Sequence, residues 1–234
     1  MLYEQDPYLR EFDSKVKSVT DGKYVVLEDT CFYPNSGGQP HDTGVLVKDG
    51  VEYRVVFAKK FGGEVSHEID PQGLAVGASV HGVIDWERRY ILMRSHTAAH
   101  MLSAVINQET GADISGNQLD LEYSRIDFNL EDFDRERVKD FERLVNEAIS
   151  RDMHVKVRQI PREEALKDTS LFRLLKGFPE GVQVVNVVEV EGFDMQACGG
   201  THVRNTKEIG PLEVFKAENK GKNNRRMYFR LRKL

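Results

Sequence analysis

The sequence predicts an α+β protein in two parts: a small β-barrel-like amino-terminal domain over residues 1–84, then a mixed-sheet α+β domain over residues 85–234. Three observations predict it. The first part carries short β-branched runs separated by Gly, Asp and Pro turn signals, at the spacing of a small barrel. A long helical run follows, its apolar residues recurring near a 3.6-residue period. Beyond it, strand-like runs alternate with two further helices. No long linker separates the parts, and there are no repeats or low-complexity tracts.

Taken in order, Lys15–Thr20 and Tyr24–Glu28 flank Asp21-Gly22 and predict a hairpin with a two-residue turn. Short strands follow at Gly44–Lys48, Glu52–Ala58, Glu64–Glu68 and Ser79–Ile84, with turns at Asp49-Gly50, Gly62-Gly63 and Pro71-Gln72-Gly73. Asp85 is a natural N-cap for a helix reaching about Gln108, with Gly111 and Gly116 flanking its end. Leu119–Phe128 alternates apolar and polar residues like a half-buried strand. Asp134 caps a second helix running to about Ser150, with Val138, Phe141, Leu144, Val145, Ala148 and Ile149 on its apolar face. A strand at Met153–Gln159 leads to a helix opened by Pro161 in the favourable first position. Val182–Val190 reads as a buried strand, and Leu212–Glu218 and Arg226–Leu231 close the sheet.

Composition narrows the class without naming an activity. With 40% hydrophobic and 30% charged residues the chain resembles an ordinary globular protein. No apolar run approaches the roughly 20 residues that span a bilayer, so no membrane partner is expected. Two cysteines, Cys31 and Cys198, cannot build a disulfide framework, so a cytoplasmic location is the expectation. A net charge of −5 gives no hint of nucleic acid, although a local basic stripe can act while the rest stays acidic.

Two short stretches about a hundred residues apart carry chemistry: His96-Thr97-Ala98-Ala99-His100 and Cys198-Gly199-Gly200-Thr201-His202. On a helix, positions four apart share a face, so His96 and His100 point the same way. The second stretch adds a thiol and a third imidazole. Three nitrogens and one sulfur are the donors a tetrahedral Zn2+ prefers. Thr97 stands where the His-Glu-x-x-His proteases place their general base, which excludes a metalloprotease.

Ser95-His-Thr-Ala-Ala-His100 together with Ala197-Cys-Gly-Gly-Thr-His202 resembles the editing site of alanyl-tRNA synthetase and its free-standing relatives, the AlaX proteins. Phe32-Tyr-Pro-Asn-Ser-Gly-Gly-Gln-Pro40 followed by Asp42-Thr-Gly44 is similar to the glycine-rich segment of that family's amino-terminal domain, with Ser36 where the family often has a third glycine. The resemblance covers nearly the whole chain and fits the medium-length type. It implies a zinc-dependent hydrolase that deacylates mischarged seryl-tRNA(Ala), and also the glycyl form, with residues 85–234 as the catalytic domain. It implies that the Thr97 hydroxyl recognises the serine side chain; a hydroxyl bonded back to a helix carbonyl is the alternative. The partner implied is mischarged tRNA(Ala), with no DNA partner, and the oligomeric state is left open.

Four protein ligands close a tetrahedral zinc, whereas hydrolytic zinc keeps a position for water. The metal therefore either only fastens the loop to the helix, or has a weak or displaced ligand so that water or the substrate amine reaches it. Spacing does not choose between these, and a zinc that organises or contacts substrate is favoured over one that makes a permanent hydroxide. Gly199 and Gly200 allow backbone N–H groups to approach the substrate; a tight turn joining Cys198 to His202 explains them equally. Gly37-Gly38-Gln39 resembles, over three residues, the loop with which release factors cleave peptidyl-tRNA, and Gln39 is assigned a binding role at the acceptor end. Arg88, Arg89 and Arg94, and in the tail Lys216, Lys220, Lys222, Arg225 and Arg226, are candidate RNA contacts, with a solvated charged surface as the alternative. Rival readings are deacylation of another misacylated tRNA, or a non-catalytic zinc-stabilised RNA-binding module. His41, His67, His81 and His154 have no matching donors nearby in sequence and read as packing.

Overall fold

A computed structural model describes residues 1–131, 134–174 and 181–232. The chain divides into two compact units, Met1–Leu92 and Met93–Leu234. In the first, a single-turn helix α1 (Leu2–Gln5) precedes six strands: β1 (Glu11–Thr20), β2 (Tyr24–Leu27), β3 (Gly44–Lys48), β4 (Val51–Phe61), β5 (Glu64–Asp70) and β6 (Ser79–Ile84). They close a barrel in the order β1-β2-β5-β4-β3-β6, which leaves no unpaired strand edge. Alternation along each strand fills the interior with Phe12, Val25, Leu27, Leu46, Val55 and Ile69. Bulges after Val16 in β1 and after Val55 in β4 bend those strands round the barrel.

The turns follow their residues. Lys48 pairs with Val51 and Phe61 with Glu64, so Asp49-Gly50 and Gly62-Gly63 form two-residue hairpins with positive φ at both positions. The first hairpin differs from expectation. Thr20 pairs with Tyr24, so Lys23 joins Asp21-Gly22 in a three-residue loop.

Two buried polar nodes hold this unit together. His67 donates from Nδ1 to the Val25 carbonyl at 2.9 Å and accepts the Thr30 hydroxyl at Nε2, also at 2.9 Å. Burial lowers its pKa to about 4, which keeps the ring neutral. Arg89 is 0% exposed and pairs with Asp42 through Nε at 3.0 Å and through Nη2. Its remaining donors reach the carbonyls of Pro7 and Cys31. Arg89 is therefore a core ion pair and not an RNA contact.

Helix α2 (Trp86–Thr110) begins with Asp85 accepting the Arg88 N–H at 3.1 Å. From Leu92 to Ile106 every residue but Arg94 is buried. The apolar stripe read from the sequence thus understates the burial of the helix over this stretch, while Glu87, Gln108 and Glu109 toward its ends are exposed. After α2 come β7 (Ile114–Gln118), β8 (Ser124–Phe128), α3 (Arg135–Ile149), β9 (Val155–Pro161), α4 (Arg162–Ala165), β10 (Val184–Val190), β11 (Asp194–Ala197), β12 (Leu212–Gly221) and β13 (Asn224–Leu231). Asp134 caps α3 by accepting the Arg137 N–H at 2.8 Å. Phe141 and Val145 lie on its buried face.

The α+β class with a barrel-like amino-terminal domain stands. The expected single mixed sheet divides into two sheets, β11-β10-β9 and β12-β13-β8-β7, and every ladder in them is antiparallel. The stretch Leu119–Phe128 is a strand only from Ser124. Its alternation continues through Leu121 and Tyr123, yet both are exposed in the turn after β7. Pro161 ends β9 and is the N-cap of the short α4, one residue earlier than expected.

Candidate metal centre

His96 and His100 stand one turn apart on the enclosed part of α2, 4% and 8% exposed. The β10–β11 hairpin delivers the other pair. Val187 pairs with Ala197, and the Cys198 N–H donates to the Asn186 carbonyl at 2.9 Å, which sets where the thiol emerges. Gln196, one register step earlier, is buried and donates through Nε2 to the His100 carbonyl at 3.2 Å and to Ser103 Oγ at 3.0 Å. The hairpin end is thereby bonded to the helix turn that carries His100.

The two motifs converge. The ligand atoms of His96, His100, Cys198 and His202 all lie within 4.8 Å of one another. Cys198 Sγ is 3.4 Å from His96 Nε2 and 3.5 Å from His202 Nε2. Zinc bonds of about 2.05 Å to nitrogen and about 2.3 Å to sulfur give a tetrahedral N–S edge of about 3.6 Å, so the spacing fits that ion. Desolvation holds His96 down to about 4, and His100 and His202 well below the usual imidazole value, so all three offer lone pairs. Burial raises the Cys198 thiol to about 11, opposed by the Gly200 N–H that donates to Sγ at 3.4 Å. Three neutral imidazoles and a thiol form a borderline-soft donor set that suits zinc.

Thr97, fully buried, lies behind His202. Its Oγ1 donates to the Met93 carbonyl at 3.0 Å, accepts the Val203 N–H at 3.2 Å, and lies 3.2 Å from His202 Nδ1. With Nδ1 protonated and donating, the His202 Nε2 lone pair faces the cluster, and the hydroxyl has its full complement of one donated and two accepted bonds. To bond a substrate hydroxyl it must release one of them. Neither Gly199 nor Gly200 takes a positive φ, so backbone strain is not what calls for glycine here. A Cβ added at Gly199 meets nothing within 4 Å, so the loop backbone borders open space.

Gln39 lies in the first unit. Its backbone bonds reciprocally with Ser36 across Gly37-Gly38, and it is 1% exposed. Gly37 and Gly38 both have positive φ whereas Ser36 does not, so serine is accommodated there. The other arginines proposed for RNA are also engaged. Arg88 Nε donates to the His41 carbonyl at 2.9 Å, and Arg94 holds the Ile209 and Arg232 carbonyls. Arg225 is buried and bonds the carbonyls of Gly221, Asn224 and Glu131. Gln196 and Ser103 went unrecognised in the sequence, because nothing in local spacing marks a tether between residues 93 positions apart.

Two family models match parts of the chain. Residues 185–228 match the family described as "Threonyl and Alanyl tRNA synthetase second additional domain", and residues 7–88 match "tRNA synthetases class II (A)". The alanyl-tRNA editing protein AlaX-M of Methanosarcina mazei is 52% identical over 239 residues, covering 98% of this chain and 95% of that protein. AlaX-M of Saccharolobus solfataricus is 41% identical, covering 97% of each chain. The alanine–tRNA ligase of Pyrococcus furiosus is 38% identical over 93% of this chain, which corresponds to 24% of the ligase. The chain belongs to the AlaX-M family of alanyl-tRNA editing proteins. Among the described residues, no helix is long and apolar enough to cross a membrane.

Proposed function

We propose that this protein is a trans-editing hydrolase that deacylates mischarged Ser-tRNA(Ala), and the glycyl form, with Zn2+ held by His96, His100, Cys198 and His202. The observation that carries it is the convergence of those four donor atoms within 4.8 Å, in a chain half identical to AlaX-M proteins. In the reaction water adds to the ester carbonyl, the bond to the ribose oxygen breaks, and the amino acid leaves a free tRNA. A bound zinc supplies positive charge that anchors or polarises the aminoacyl group.

The chain's own residues do the rest. The loop presents backbone rather than side chain to open space at Gly199, so the Gly199 N–H can approach a developing oxyanion, while the Gly200 N–H serves Cys198 Sγ. Thr97 serves the centre through His202, fixing the tautomer whose Nε2 faces the metal position. Both cysteines are unpaired, in keeping with a reducing cytoplasm.

The test is deacylation of Ser-tRNA(Ala) and Ala-tRNA(Ala) by the zinc-loaded protein beside its His100→Ala variant. Loss of serine only, abolished in the variant, supports the reading. Turnover of neither ester, with tRNA still bound, overturns it in favour of a binding module.

A further inference from the structure

The outer face of the four-stranded sheet carries a second constellation, built from residues outside the metal centre. Register puts Tyr228 opposite both Lys216 and Arg125, Arg226 opposite Glu218 and Asp127, and Arg230 opposite Glu213, so these side chains share one face. The opposite face is core, with Met227, Phe229, Ile126 and Phe128 all buried. A bulge between Val214 and Lys216 inserts Phe215 as an extra residue, and its ring lies exposed beside Tyr228. Tyr123, just before β8, completes a trio with ring centroids 5.8 to 6.2 Å apart. Phe215 is 43% exposed and Tyr123 48%, an aromatic surface that core packing does not require.

Charge separates this face from the rest of the molecule. Among the described residues, three carboxylates on this face each serve two cations. Asp127 holds Arg125 and Arg226, Glu213 holds Arg230 and Arg232, and Glu218 holds Lys216 and Lys220. Six cations over three carboxylates leave a local excess of three positive charges on a chain whose net charge is −5. Two cations also stand over the rings, Lys216 at 5.1 Å from the Tyr228 centroid and Arg230 at 5.4 Å from that of Phe215.

We propose that this sheet face is an RNA-binding platform, on which Tyr123, Phe215 and Tyr228 stack unpaired bases while the flanking arginines and lysines hold the phosphates. An antiparallel sheet with exposed rings interleaved with cations has the chemistry single-stranded RNA needs: faces for bases that have left their helix, and a positive field along the backbone. A double helix hides its bases, so the rings select unpaired nucleotides. That the RNA is a tRNA rests on the function proposed above; the platform itself requires only single-stranded RNA.

The experiment measures binding of a short labelled oligouridylate and of an uncharged tRNA(Ala) transcript, beside deacylation of Ser-tRNA(Ala), for the zinc-loaded full chain. The Tyr123→Ala/Phe215→Ala variant, whose sites are exposed, is expected to keep its unfolding temperature and to bind the oligonucleotide at least ten-fold more weakly. Tyr123→Phe is expected to retain binding, because the ring is preserved. Arg230→Gln is expected to flatten the dependence of log affinity on log salt by about 0.7 for single-stranded RNA. For deacylation, the double variant is expected to raise KM while leaving kcat unchanged. If the wild type turns over Ser-tRNA(Ala) but the double variant binds both RNAs as tightly, the platform is refuted and the editing function stands. Failure of the wild type to deacylate, with ring-dependent oligonucleotide binding intact, leaves the platform and removes the editing reading. A double variant that changes the oligomeric state without changing RNA affinity assigns the face to a second copy of the chain instead, which also refutes the platform.

Discussion

Replacing Thr97 by valine keeps the shape of the side chain and removes one oxygen. In the structure that oxygen accepts the Val203 N–H and serves His202 Nδ1, both in buried surroundings, so two donors lose their acceptor together. Each stranded buried donor costs about 1–3 kcal/mol, which puts the expected loss near 3 kcal/mol for the pair. The second consequence is on the metal. A ligating imidazole freed from its hydrogen-bond partner typically loses about 10- to 100-fold in zinc affinity. Competition against a chromophoric chelator measures that affinity, and urea unfolding of the zinc-free protein measures the stability term separately. Thr97→Ser keeps the oxygen and is expected to restore most of both. A valine variant with wild-type zinc affinity and stability would refute the positioning role. If that variant instead lost only its preference for Ser-tRNA(Ala) over Ala-tRNA(Ala), the hydroxyl would belong to the substrate.

Other perturbations test other parts of the argument. His67 is buried neutral with a pKa of about 4 against an ordinary 6.5, so between those values the unfolded chain takes a proton the folded chain refuses. Its contribution is complete above pH 6.5 and is lost as pH falls through 4, by up to about 3 kcal/mol. Urea titrations of wild type and His67→Gln across this range should show a shallower acid slope in the variant, and parallel slopes would contradict the assignment. Gly44 pairs with Ile84 at a barrel seam, where an added Cβ would sit 2.2 Å from the Val83 carbonyl oxygen. Backbone cannot yield there as a side-chain tip can, so Gly44→Ala should lower stability by about 2 kcal/mol or more, and an unchanged melting temperature would count against the close approach. Gly199→Val faces open space, so it should leave stability within about 0.5 kcal/mol while cutting kcat/KM on Ser-tRNA(Ala) at least ten-fold. Full activity in that variant would show that no substrate approaches the loop backbone.

The barrel was legible because its signals are local. Asp49-Gly50 and Gly62-Gly63 specify their turns almost unaided, and alternation along β5 and β6 assigns the inward residues. Elements held by long-range pairing were not. β7 reads Ile-Ser-Gly-Asn-Gln, polar and broken by glycine, and is a strand only because β8 supplies its ladder. β11 is four residues long and is defined by its pairing with β10. The convergence of the metal quartet could be anticipated because one pair is spaced for a helix and the other for a loop. The tether from Gln196 to Ser103 had no such signature. Arg89 was misread because its partner, Asp42, lies 47 positions earlier, so from the local sequence it differs little from its neighbour Arg88.

That same arginine decides where the amino-terminal unit can be cut. Its guanidinium joins Pro7, Cys31 and Asp42, from three separate segments of the chain, to the first turn of α2. A barrel released after residue 84 would keep every strand yet leave the buried Asp42 carboxylate with the Tyr33 N–H and no cation, and breaking a buried pair in this way costs about 3–5 kcal/mol. The smallest self-sufficient barrel is therefore defined by charge balance rather than by the last hydrogen-bonded strand. Including the opening of the helix restores that pair, so the element that goes on to carry His96 and His100 also balances the buried charge of the barrel.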